Sequence, residues 1–242
     1  MLRWSTNTDN ANVQKLTNLH KISAVPIKVI IAAGLLLLGM GSCSKDNYDE
    51  PEATITGGVY DAKDGTLIPT QQPNGIRVRL YEKDYTQPTN FDCMPDGTFK
   101  NTRLFPGQYH ITVEGPFVAS SIKEQDISIP ASDVHITAEP LIRIKAKSQL
   151  SGNTVSVSYN ITKSEQSKGG IRQVYVLCGN TIGLSATTAS KRVNIDPATV
   201  QQGVEQTTTI ADVDTSKPVF VRVAARSTES DYYNYSEITR LK

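Results

Sequence analysis

Pro106-Gly107-Gln108-Tyr109-His110-Ile111-Thr112-Val113 decides the fold class. A turn pair is followed by Tyr109, Ile111 and Val113 alternating with His110 and Thr112. A period of two sends alternate side chains to opposite faces, so the stretch predicts a half-buried β-strand. The pattern spreads outward. Ile76, Val78 and Leu80 alternate with Arg77 and Arg79, and Ile127, Ile129, Val134 and Ile136 repeat it downstream. Asp64-Gly65, Asn74-Gly75 and Asp96-Gly97 supply turn chemistry between these runs,. No segment from Ala53 to Pro140 sustains a helical period.

Beyond Pro140 the same style resumes. Ile142 and Ile144 open a strand, and Val155, Val157, Tyr159 and Ile161 mark a second. Further strands are expected around Val174 and Val176, Thr207 and Thr209, and Val219, Val221 and Val223, with a last one over Ser236 to Leu241. Asp196-Pro197-Ala198-Thr199-Val200 predicts a short helical turn. About seven short strands in about 100 residues is the density of an immunoglobulin-like or fibronectin type III sandwich. The Cys…Trp…Cys signature of antibody domains is missing, and the single tryptophan, Trp4, precedes the β-rich part. The expected fold class is therefore all-β, two tandem sandwiches over residues 53–140 and 141–242.

The first 42 residues read differently. Lys15, Lys21 and Lys28 form a basic region, followed by an uncharged apolar run from Val29 to Met40. That run falls short of the roughly 20 apolar residues a spanning helix needs, and fits the core of a secretory leader. The basic region is long, which would place the true start downstream of Met1. Met40-Gly41-Ser42-Cys43 resembles a bacterial lipobox, with Met40 where leucine is commoner. Cleavage before Cys43 and its lipidation are expected, with the protein held on a membrane by acyl chains. Ser44 to Pro51, in the tether expected over residues 43–52, is polar and acidic. It resembles the export stretch that, in Bacteroidetes lipoproteins, implies display on the outer face of the outer membrane.

Removing Arg3, Lys15, Lys21, Lys28 and Asp9 with the leader takes the formal charge from +1 to −2. There is no basic stripe, so nucleic acid is not an expected partner. Cys93 and Cys178 fall in different expected domains and read as isolated thiols rather than a bridge,.

Ile55-Thr56-Gly57-Gly58-Val59-Tyr60-Asp61, running on to Pro69, resembles the opening of carboxypeptidase regulatory-like domains. Asp96-Gly97-Thr98-Phe99 and Leu104 to Ile111 resemble their closing hairpin. That resemblance implies a transthyretin-like first sandwich, followed by a fibronectin type III-like second. Gln72-Pro73-Asn74-Gly75-Ile76-Arg77 and Glu114-Gly115-Pro116-Phe117-Val118 look like stretches of a two-domain Bacteroidetes lipoprotein family of unknown function. Members are typically encoded beside SusC-like and SusD-like proteins. The resemblance implies a non-catalytic accessory of a glycan-uptake system at the cell surface.

No catalytic motif is present. His110 and His135 each sit between inward-facing neighbours and should point to solvent, without ligand spacing for zinc,. Asp61, Asp64, Asp92 and Asp96 read as turn formers rather than calcium ligands,. The chain is expected to be a non-enzyme that takes no cofactor and no metal. The binding signal is aromatic, because tyrosine rings stack on the apolar faces of sugars while hydroxyls and amides meet sugar hydroxyls. Tyr232, Tyr233, Asn234 and Tyr235 form one expected glycan site, and Tyr85 and Phe91 a second in the first domain. The competing expectation is a structural or protein-interaction module docking on the transporter, in which these rings are buried.

Overall fold

The computed structural model describes residues 50–242; the leader, Cys43 and the tether up to residue 49 lie outside the described residues. The first sandwich comprises β1 (Ala53–Asp61), β2 (Arg77–Glu82), β3 (Thr89–Asp92), β4 (Thr98–Leu104), β5 (Gly107–Glu114), β6 (Gln125–Ile129) and β7 (Ala131–Ala138). One sheet has the order β4-β1-β7 and the other β3-β2-β5-β6. Only the β1–β7 pairing is parallel. The alternating positions read from the sequence face inward: Val78, Leu80, Tyr109, Ile111, Val113, Val134 and Ile136 are all buried with Ile55, Val59 and Phe99. Each such aliphatic side chain contributes about 1.5–3 kcal/mol on burial. Gly57 in β1 is required by the packing, since a Cβ there would run into the Val134 carbonyl and lie 2.6 Å from the Phe99 ring.

The second sandwich comprises β8 (Ile142–Ser151), β9 (Thr154–Lys163), β10 (Ile171–Gly179), β11 (Lys191–Ile195), β12 (Gln206–Ile210), β13 (Phe220–Ser227), β14 (Asn234–Tyr235) and β15 (Thr239–Arg240). The order β12-β9-β8 faces β11-β10-β13-β14, with β15 also paired to β13. Val155, Val157, Val174, Val176, Val221 and Val223 fill the space between the sheets. Of the expected last strand over Ser236 to Leu241 only β15 forms, and β14 precedes it; between them the Ser236 hydroxyl, not its carbonyl, accepts from the Val223 amide. In β12 it is Ile210 that is buried, and Thr207 and Thr209 face out. The turn at Pro197–Thr199 forms as the sequence suggests, capped by the Asp196 carboxylate accepting from the Ala198 amide.

Cys93 and Cys178 are free and buried, one in each core. Burial pushes the Cys93 thiol up to about 12 and raises that of Cys178. The thiolate is the reactive species. An aromatic disulfide reagent at pH 8 is therefore expected to titrate neither thiol in the folded protein and both after denaturation. Rapid modification under native conditions would contradict the burial.

Candidate functional site

The tyrosine segment after β13 divides between two tasks. Tyr235 and Asn234 are only 3% and 2% exposed. The Tyr235 hydroxyl donates to Gln71 Oε1 and accepts from the Ala186 amide. Asn234 Nδ2 donates to the Pro116 carbonyl at 3.1 Å, while its Oδ1 accepts from the Ile142 amide at 3.1 Å. The half-buried Tyr232 donates to Glu114 Oε1 at 2.9 Å. Gln71, Glu114 and Pro116 belong to the first sandwich, so these residues join the two sandwiches. Tyr235 and Asn234 thus correct the expectation of an exposed, sugar-facing role for both: they are almost fully buried and their polar atoms are engaged in the joint.

The joint has a charged centre. Arg222, on β13, is 1% exposed. Its Nη1 donates to the Thr70 carbonyl at 2.8 Å and the Leu184 carbonyl at 3.2 Å; Nε and Nη2 donate to the Ser236 carbonyl at 3.2 and 2.9 Å. The guanidinium carbon lies 4.0 Å from the centroid of Tyr235. Burial pulls its pKa down to about 9, which leaves it charged at neutral pH. Nearby, Arg143 on β8 clasps Asp61 at the end of β1, with Nε–Oδ2 at 2.6 Å and Nη2–Oδ1 at 2.7 Å. Hydrogen bonding to Asp61 raises the Arg143 pKa. A groove of about 300 Å³ runs beside this pair between Leu67, Pro69, Ile142 and Ile144.

Tyr233 behaves differently. Its ring is half-buried on the outer face of the β11-β10-β13-β14 sheet, away from the core. The register explains the arrangement. Asn194, Tyr175, Ala224 and Tyr235 are cross-strand neighbours across β11, β10, β13 and β14. Ala224 has almost no side chain, and the ring of Tyr233 fits between its neighbours, 5.8 Å from Tyr175 and 6.1 Å from Tyr235 between centroids. Arg192 covers Tyr175 at 4.6 Å, and Arg226 covers Tyr233 at 4.9 Å. The Tyr233 hydroxyl donates to Gln173 Oε1 at 2.6 Å, and Arg226 Nη2 donates to the same oxygen. Burial, then a hydrogen bond with Tyr175, raises the Tyr233 pKa. Beside Tyr175 lies an open depression of about 370 Å³ lined by Gln173, Asn194 and Asp196. Tyr175 stands out of phase with the buried Val174 and Val176, a position that period-two reading assigns to the outer face, although nothing local marks it as part of a cluster,.

The second expected site does not assemble. Tyr85 is 67% exposed on a loop, but Phe91 lies in β3 and packs 6.0 Å from Phe99 of the core. The four aspartates have separate duties. Asp64 and Asp96 accept from the backbone and hydroxyl of Thr66 and Thr98, while Asp61 and Asp92 pair with Arg143 and Arg77. The Thr66 hydrogen bonds lower the Asp64 pKa. No group of three or more His, Cys, Asp or Glu that could hold a metal occurs among the described residues. His110 is exposed and contacts Asp126, and His135 is exposed and stacks on Tyr60 with centroids 4.2 Å apart.

Two family models account for almost all of this body. Residues 53–139 match the N-terminal domain of a protein of unknown function (DUF3823), and residues 142–240 match the domain of unknown function DUF3823_C. Among solved structures, a DUF3823 family protein of Parabacteroides merdae aligns with a TM-score of 0.69 at 22% identity, covering 80% of this chain and 100% of that one. A DUF3823 family protein of Bacteroides ovatus gives 0.68 at 20% identity, covering 78% and 98%. A Bacteroides uniformis protein described as a candidate carbohydrate binding protein gives 0.67 at 19% identity, covering 79% and 99%. At such identities the likeness shows a shared fold. Comparison with curated protein sequences returned no match.

Proposed function

The chain belongs to the DUF3823 family, and from that premise we propose that it is a non-catalytic, glycan-binding lipoprotein of the outer membrane surface. The observation that carries the reading is the Tyr175–Tyr233 rack: two half-buried rings with guanidiniums over their faces and amide and hydroxyl groups beside them, fixed on a rigid sheet. Sugar sites combine these same elements, an apolar ring edge and a few oriented polar groups. The description of the Bacteroides uniformis neighbour as a candidate carbohydrate binder agrees with it. The lipobox-like Met40-Gly41-Ser42-Cys43 and the acidic tether support lipid anchorage and surface display. Resemblance to lipoproteins encoded beside SusC-like and SusD-like proteins supports a role as accessory to such an uptake complex.

Affinity electrophoresis of residues 50–242 through gels containing a panel of polysaccharides, with calorimetry on each hit, tests the binding role. These residues contain both cores complete. At least one glycan is expected to retard the protein, and Tyr175→Ala is expected to weaken that binding about tenfold or more, as loss of a central aromatic contact does. Tyr85→Ala serves as the unaffected control. Anchorage is checked separately by metabolic labelling with palmitate, which Cys43→Ala is expected to abolish.

The second reading, a spacer or protein-interaction module on the transporter, is favoured by the joint itself. Arg222, Tyr235, Asn234 and the Arg143–Asp61 pair hold the sandwiches as one piece. Failure of every polysaccharide in the panel, with co-purification of the anchored protein and an outer-membrane transporter, would establish that reading instead.

A further inference from the structure

Resting on the reading of the tyrosine rack as a glycan site, we propose that its ligand is an acidic glycan, recognised through carboxylate or sulfate groups by Arg192, Arg226 and Arg172. The inference comes from which groups the rack has already used. Gln173 Oε1 is taken by both Tyr233 and Arg226, so this acceptor is not offered to a ligand. The ring faces of Tyr175 and Tyr233 are covered by guanidiniums at 4.6 and 4.9 Å, so a neutral pyranose would have to displace a cation to stack there. Among the charged groups turned outward, guanidinium donors predominate.

Arg192 is exposed and enters no ion pair among the described residues; its one partner is the Tyr175 ring. Arg226 is anchored through Nη2, while its Nη1 has only a 3.5 Å contact with the Asp231 carbonyl and a 4.0 Å approach to the Asp231 carboxylate. Arg172 is the extra residue of a bulge in β10, between Ile171 and Gln173, and lies 3.5 Å from the same carboxylate. Bulges re-aim side chains, and this one delivers a third guanidinium to the group around Asp231. The carboxylates facing this cluster are Asp231, shared by two arginines and itself exposed, and Asp196, which caps its own turn. Cations thus outnumber free carboxylates at the rack although the protein beyond the leader carries more acids than bases. A guanidinium fork matches a carboxylate or sulfate in two parallel hydrogen bonds, and an aromatic ring beneath fixes the fork's plane.

The test compares polygalacturonate (carboxylate), chondroitin sulfate (both groups, with sulfate) and dextran (neutral) as ligands for residues 50–242 by calorimetry. Binding of one or both acidic polymers and not of dextran is expected, with affinity falling about tenfold or more as salt rises from about 50 to 500 mM. Arg192→Gln is expected to weaken binding about tenfold with unchanged melting, since the side chain is exposed; Arg192→Lys, keeping charge without the fork, should recover part. Preference for polygalacturonate assigns the carboxylate, and preference for the sulfated polymer assigns the sulfate. Equal binding of dextran, or indifference to both salt and Arg192→Gln, would overturn the acidic ligand and leave the rack as a neutral-sugar site. Binding of none of these or of any polysaccharide in the wider panel would overturn the rack reading on which the inference stands.

Discussion

Arg222→Leu is expected to destabilise the body by about 3–5 kcal/mol, the cost of leaving buried polar partners uncompensated. Leucine keeps the apolar stem and removes the donors to three carbonyls, those of Thr70, Leu184 and Ser236. All three acceptors then remain in a site from which water is excluded. For a protein of this size such a loss lowers the melting temperature by roughly 10 °C or more. Arg222→Lys should recover only part, because an ammonium cannot reach three carbonyls in one plane or lie flat on the Tyr235 ring,. Thr70 is in the first sandwich and the other acceptors in the second, so the variant also loosens the joint. Thermal melts and limited proteolysis of Arg222→Leu check both effects; a change in melting below about 2 °C would mean that the buried guanidinium contributes little.

The fold was legible because its cores follow period two. The strands β2, β5, β7, β9, β10 and β13 have buried residues at the positions their alternation indicates. Where a strand is short and only partly covered, the reading missed it. β11 alternates half-covered Val193 and Ile195 with exposed Arg192 and Asn194, but it is five residues long with no fully buried residue, and no strand was assigned there. β14 and β15 are two residues each, too short for any period. The site was less legible for a physical reason. Tyr232, Tyr233 and Tyr235 are adjacent in sequence, yet what each touches depends on residues far along the chain: Glu114, Gln173 and Gln71. Composition signals that a cluster of tyrosines has work to do, not which ring meets a neighbouring domain. The stretches 72–77 and 114–118, by which the family is recognised, flank or form the docking surface: Gln71 donates to the Pro73 and Asn74 carbonyls, and Glu114, Pro116 and Val118 meet the second sandwich. Family resemblance here followed an interdomain contact that periodicity cannot see.

Tyr235→Ala is expected to cost about 3–5 kcal/mol, as truncation of a buried ring does. The ring is the surface on which the Arg222 guanidinium rests, and its hydroxyl ties Gln71 to the second sandwich. Because Tyr235 and Arg222 touch, their losses should not add; a double-mutant cycle is expected to show coupling of about 1–2 kcal/mol. Tyr235→Phe separates ring from hydroxyl and predicts a specific pH dependence. Burial raises the Tyr235 phenol from its ordinary 10.0 to about 12. A pKa raised in the folded state contributes stability that is complete below pH 10 and is lost as pH climbs toward 12,. The melting advantage of the wild type over Tyr235→Phe should therefore shrink across that interval, since phenylalanine has no proton to lose. A constant difference from pH 9 to 12 would show that the phenol is solvated. The same variants bear on function. Loss of glycan binding in Tyr235→Ala would report a disturbed joint beneath the rack, whereas Tyr175→Ala, at a half-exposed ring, removes the proposed ligand surface and leaves Arg222 and the joint in place.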